Sequence, residues 1–222
     1  MNGKTELKPG RTNTRSAIIL AGGRGRRMGM VEKTLLEFEG KTILERLLEN
    51  LLRVVDEVVL SVRDTSQKEK LIPVLEKFPD QKIHFCFDTR EDAGPLEGIR
   101  AGLLESEYSF VCAGDMPFVN SEVVALLFKK AIGHDAALPR WEERMFEPLH
   151  AVYSRNMLPE IEKAFERGKH SVLAPVFQMK DVIFVEVSEI REIDSELRTF
   201  ANINTVEDLE SMIGSAVRKV ES

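Results

Sequence analysis

Short runs rich in Val and Ile alternate with longer segments of helical period along almost the whole chain. No other feature restricts the fold so strongly. Residues 17–20 (AIIL), 57–62 (EVVLSV), 82–87, 108–113, 135–138, 149–153 and 181–187 read as strands. Between them, residues 42–55 place Ile43, Leu44, Leu47, Leu48, Leu51 and Leu52 on one helical face, and Thr42 with Glu45 forms a capping box at its start. Residues 66–78 are helical with a kink or early stop at Pro73; residues 95–105 begin a helix with Pro95 in the first turn. Further helices are expected at 121–132, 156–167 and 171–179, with a last one capped by Thr205. Such alternation predicts a three-layer, Rossmann-like α/β fold: a mainly parallel, mixed sheet with helices on both faces.

At 222 residues with 43% hydrophobic side chains and no Pro/Gly-rich break, the chain has enough core for one domain, taken as 16–222. Residues 1–15 are polar, lack the apolar stretch of a signal peptide, and read as a flexible basic tail. No apolar run approaches the roughly 18 residues of a membrane span. The net charge of -6 argues against a nucleic-acid surface. Cys86 and Cys112 lie inside apolar strand-like runs and read as buried, reduced thiols of a cytoplasmic protein.

Ligands of open α/β sheets bind beyond the carboxyl ends of the strands. Three loops follow such ends: LAGGRGRRMG (20–29), DTREDAGPLEG (88–98) and AGDMPF (113–118). The first carries Gly22, Gly23, Gly25 and Gly29 with Arg24, Arg26 and Arg27, and Lys33 follows. Bare backbone beside positive charge suits polyphosphate. The loop matches neither GxxxxGK[ST] nor GxGxxG. The four histidines lack zinc-type spacing, and no GxSxG elbow is present.

LAGGRGRRMGMVEK resembles the signature of nucleotidyltransferases that use a nucleoside triphosphate. Together with GPLEG (94–98), GDMPF (114–118), EPLHAVY (147–153) and FANINTVEDL (200–209), it most resembles the molybdenum cofactor guanylyltransferases. The resemblance implies a nucleotidyltransferase fold and a Mg2+-dependent transfer of GMP from GTP to the phosphate of molybdopterin. It assigns Asp115 to the magnesium ion, and Arg27 and Lys33 to the triphosphate. The backbone of Leu20, Ala21, Gly22 and Gly23 would lie against purine and phosphates, with Gly94, Pro95 and Leu96 as the companion element. Asp88 would read the guanine edge, with Asp92 as its rival and Ser61 lining the same pocket. Asn202 and Asn204 fall on the acceptor side, although Asn204 or Thr205 could equally cap the last helix. Glu147, Pro148 and Leu149 would help form the acceptor pocket, and His150 reads as a structural strand residue. Glu32 stands where the family often has Asp, and Gly25 where it often has Ser. The basic tail is a candidate for transient contact with other molybdenum cofactor proteins. Cytidylyl transfer, another acceptor such as a cobamide precursor or sugar phosphate, and an inactive nucleotide-binding protein stay open as alternatives.

Overall fold

The computed structural model describes residues 14–22, 32–90, 93–142 and 145–203. Seven strands form one sheet: β1 (Arg15–Leu20), β4 (Glu57–Val62), β5 (Ile83–Phe87), β6 (Tyr108–Ala113), β7 (Ala136–Arg140), β8 (His150–Ser154) and β9 (Val182–Glu186), in the order β5-β4-β1-β6-β8-β7-β9. Two short strands, β2 (Glu37–Phe38) and β3 (Lys41–Thr42), pair as a separate antiparallel ribbon. Neighbours β5, β4, β1 and β6 are parallel, whereas β8 is antiparallel to both β6 and β7. The expected mixed, mainly parallel sheet is therefore present. β1 starts two residues before the expected Ala17, because Asp56 Oδ2 accepts from Arg15 N at 2.9 Å and Asp56 N donates back to Arg15 O at 2.8 Å.

Helices cover both faces. One face carries α1 (Ile43–Leu51), α2 (Thr65–Leu75), α4 (Ser121–Ala131) and the short α7 (Val187–Arg191), whose apolar residues pack with Ala17, Ile19, Val58 and Phe110. On the other, α3 (Pro95–Leu103), α5 (Leu158–Glu166) and α6 (Leu173–Val176) pack with Ile18, Val59 and Val111. Successive residues of β1 point to opposite faces, and Ala17, Ile18 and Ile19 are all fully buried, so a continuous apolar run is what this strand requires. Among the described residues, no helix is long and apolar enough to cross a membrane.

α1 and α2 carry the chain from β1 outward through β4 to β5; α3 then brings it back across the other face to β6, beside β1. The direction of winding reverses between β1 and β6, and a crevice opens at their carboxyl ends.

Local signals act as expected at α1. Thr42 Oγ1 accepts from Glu45 N at 3.1 Å, and Glu45 Oε2 accepts from Thr42 N at 2.8 Å. Pro73 sits inside α2, which ends two residues later at Leu75. The expected final helix capped by Thr205 lies outside the described residues. Thr42→Ala should lower stability by about 1–2 kcal/mol, read as a lower urea midpoint with an unchanged slope.

Candidate active site

Three backbone hydrogen bonds carry the sheet pairing beyond the strand ends and shape the rim of the crevice. Ala21 N donates to Ser61 O (3.0 Å), Asp88 N to Val62 O (3.1 Å) and Gly114 N to Leu20 O (3.0 Å). They bring Ala21–Gly22, Arg63, Asp88 and Gly114–Asp115 to one edge of the sheet. A Cβ added to Gly114 would stand 2.5 Å from Thr34 Cγ2, 3.1 Å from Leu20 O and 3.4 Å from Ala21 Cα. Only a residue without a side chain lets the β6 end, the β1 end and the Thr34 turn approach this closely.

Lys33 opens the 3-10 turn Lys33–Leu35, anchored where Leu35 N donates to Glu32 O at 2.9 Å. Its Nζ reaches Asp115 Oδ2 at 3.3 Å, with the two side chains 27% and 23% exposed. A half-exposed pair of this kind adds at most about 1 kcal/mol to stability. Its consequence is chemical: a cation and a hard oxygen donor stand together at the mouth of the crevice. Among the described residues there is no cluster of three or more His, Cys, Asp or Glu suited to a metal. Asp115 as a lone carboxylate suits magnesium, which takes one or two carboxylates and fills its shell with phosphate oxygens and water.

Asp88 lies across Gly22 from this pair. A Cβ on Gly22 would come within 3.0 Å of Asp88 Oδ2, and Ser61 Oγ donates to Asp88 Oδ1 at 3.1 Å. Burial pushes the Asp88 carboxyl above its usual range, against the Ser61 hydrogen bond and with a further upward push from Glu97. Beside it, Gly94 takes φ 66° at the N-cap of α3, Pro95 follows at the first turn, and Leu96 is fully buried. The positive φ explains the glycine.

Glu97, which the motif reading passed over, braces this corner. Its Oε1 accepts from Thr89 N (3.1 Å) and Thr89 Oγ1 (2.7 Å), and both oxygens meet Arg100 at 2.7 Å. Burial alone would raise its pKa, but the bonds from Arg100 and Thr89 outweigh it and hold the carboxyl below the usual range. Thr89 directly follows Asp88, so the brace fixes the backbone that presents the Asp88 carboxylate.

On the other side, Ile203 N donates to Asp115 O at 2.8 Å, which brings exposed Asn202 next to Asp115. Glu147 accepts from Trp141 Nε1 at 2.6 Å, and burial raises its pKa. His150 is a core residue, as its place in a strand suggested. It is fully buried, edge-on to Phe110 and Phe200 at 4.9 Å each, with Nε2 3.1 Å from Thr199 Oγ1. The structure thus gathers Leu20, Ala21, Gly22, Lys33, Ser61, Asp88, Gly94, Pro95, Leu96, Asp115 and Asn202 at the carboxyl edge. Gly23, Arg27, Asp92 and Asn204 lie outside the described residues.

Burial lowers the His150 pKa from 6.5 to about 3. Below pH 6.5 the unfolded chain takes up a proton that the folded chain refuses, so this contribution to stability is present above 6.5 and lost as pH falls toward 3. The urea midpoint should therefore drop more between pH 7.5 and pH 5 in the parent protein than in His150→Gln.

The chain is similar to known proteins in sequence and in fold. The model of the MobA-like NTP transferase domain matches residues 17–182. A probable molybdenum cofactor guanylyltransferase of Methanosarcina acetivorans is 84% identical over 224 residues, covering all of both chains. A molybdenum cofactor guanylyltransferase of Desulfosudis oleivorans is 34% identical, over 88% of this chain and 92% of its own. The crystal structure of molybdopterin-guanine dinucleotide biosynthesis protein A from Archaeoglobus fulgidus superimposes with a TM-score of 0.75 at 35% identity, covering 90% of this chain and 99% of the other.

Proposed function

The chain belongs to the MobA-like NTP transferase family, and on that premise we propose that it is a magnesium-dependent guanylyltransferase that moves GMP from GTP to the phosphate of molybdopterin. The observation that carries the reading is the Lys33–Asp115 pair at 3.3 Å, beside the end of β1 and across Gly22 from a second, half-buried carboxylate, Asp88. The names of the relatives supply the acceptor.

Asp115 would hold the magnesium ion, which when bound neutralises charge on the triphosphate and the departing pyrophosphate. Lys33 adds a point charge for the same oxygens, and Arg27 a bidentate fork. The molybdopterin phosphate attacks the α-phosphorus of GTP in line; a new P–O bond forms as the bond to the β-phosphate oxygen breaks, and pyrophosphate leaves with the electron pair. A phosphate monoester has a second pKa of about 6, so the nucleophile is already ionised near neutral pH and no strong base is needed. Catalysis then rests on positioning and charge stabilisation.

Asp88 accepts from the guanine N1–H and 2-amino groups, which adenine cannot reproduce. Its Ser61 bond leaves further lone pairs on both oxygens for that purpose. Asn202 and Asn204 would serve the acceptor side, as the resemblance implies. The same proposal takes residues 16–222 as the transferase domain and the first 15 as a tail. It sets the protein in the cytoplasm, where the buried, free Cys86 and Cys112 stay reduced.

Pyrophosphate release should require GTP rather than CTP or ATP, with molybdopterin as acceptor; Asp115→Asn should slow it by about 100- to 1,000-fold while GTP binding persists. Release with CTP alone would overturn the choice of base. For Asp88→Asn, loss of hydrogen bonds to a charged group should lower kcat/KM for GTP by about 10- to 100-fold. The same variant should melt higher than the parent at pH 8, because a carboxyl with a raised folded pKa costs stability when ionised. That gain should shrink as pH falls through the carboxylic range.

A further inference from the structure

Gln67 lies in the first turn of α2, a helix that contains none of the nucleotide motifs, and it is fully buried. Every polar atom of its side chain is engaged. Nε2 donates to Ala21 O at 2.6 Å and to Glu32 Oε2 at 2.7 Å, while Oε1 accepts from Arg63 N at 3.0 Å. The orientation of the amide is forced, since reversing it would set oxygen against a carbonyl and a carboxylate and leave an N–H facing an N–H. Asp64 Oδ1 accepts from Gln67 N at 2.7 Å, so the helix cap holds the residue that bears the amide.

The two acceptors stand on either side of the glycine stretch. Ala21 is where the chain enters it from β1; Glu32 is where the chain leaves it, next to Lys33. Glu32 is itself buried, ion-paired with Arg63 and 3.9 Å from Lys70 Nζ. One amide therefore ties the end of β1, the end of β4 and the residue before Lys33 to a common point. Glu32 O in turn anchors the turn that carries Lys33 to Asp115. Closing a loop by a fixed link removes entropy that a ligand would otherwise have to overcome on binding.

We propose that Gln67, acting through Glu32 and the Ala21 carbonyl, is a positioning residue that fixes Ala21 and Glu32 relative to each other and thereby the placement of Lys33 for the nucleoside triphosphate. Its nucleotide part rests on the guanylyltransferase reading. The clamp itself can be tested without any ligand.

The first measurement is hydrogen exchange of the Leu35 and Leu36 amides in the ligand-free full-length chain. Gln67→Leu should speed exchange there at least about 10-fold, about 1.4 kcal/mol of lost protection, while β6 and α4 stay protected. The second is GTP affinity of the parent, Gln67→Leu and Gln67→Glu, compared at matched pH. Gln67→Glu sets a carboxylate against the Glu32 carboxylate, with Arg63, Asp64 and Lys70 the other charged groups at hand. Two carboxylates sharing a site raise one pKa strongly. Its affinity should be at least 10-fold below the parent's at pH 8 and return to within about 3-fold at pH 5.5, where the shared proton restores one donor. Gln67→Leu, with no proton to gain, should stay weak at both. The exchange variant Glu32→Gln with Gln67→Glu should recover part of the lost affinity at pH 8, because the amide at position 32 then donates to the carboxylate at 67, while no donor faces the Ala21 carbonyl. Local exchange and GTP affinity unchanged in Gln67→Leu would overturn the proposal, as would a Gln67→Glu defect equal at both pH values with no recovery in the exchange variant. If the parent itself binds no GTP, the guanylyltransferase reading falls and the positioning role with it, and the exchange data then decide the clamp alone.

Discussion

The hydrogen bond from Gly114 N to Leu20 O, 3.0 Å long, marks the contact on which the rest of the site depends. It exists because β1 and β6, some ninety residues apart in the chain, lie side by side in parallel register, Leu20 opposite Ala113. That pairing brings Ala21 and Gly22, at the end of β1, and the Asp115 loop to one crevice. Gly114 permits the approach, since any side chain there would strike the Thr34 methyl. The Lys33 turn is thereby packed against the end of β6, and the Lys33–Asp115 ion pair follows from backbone packing.

The two carboxylates of the crevice differ in their partners. Asp115, its side chain 23% exposed, is paired with a cation. Asp88 accepts from a neutral hydroxyl, and burial makes its carboxyl harder to ionise than usual. Two carboxylates with such different surroundings are suited to different tasks. Beneath them, the buried side chains of Gln67 and Glu97 fix backbone segments by hydrogen bonds. In a low-dielectric interior such bonds discriminate strongly between the correct geometry and any other, because an unpaired polar group there is costly.

His150 shows the opposite use of a polar residue. It sits in EPLHAVY, a stretch that resembles a family motif, yet it is fully buried, stays neutral over the ordinary pH range and packs edge-on between two phenylalanines. Its contribution is to join β8 to the segment containing Thr199 and Phe200, which leads on to Asn202 and to the Ile203–Asp115 bond.

Local rules suffice for much of this protein. The apolar runs of β4 and β6, the Thr42–Glu45 box, the proline-led start of α3 and the placing of three ligand loops after strands are all legible from residues a few positions apart, because hydrophobic period and capping act over one or two turns. Glycine and charge composition point to polyphosphate for the same reason. Sequence alone does not reveal that β8 runs against its neighbours, that α7 follows β9, or that Gln67 and Glu97 grip loops 46 and 8 residues away. A buried glutamine looks like a surface one until its partners are known. Those partners are chosen by the packing of distant strands and helices, which no local pattern encodes.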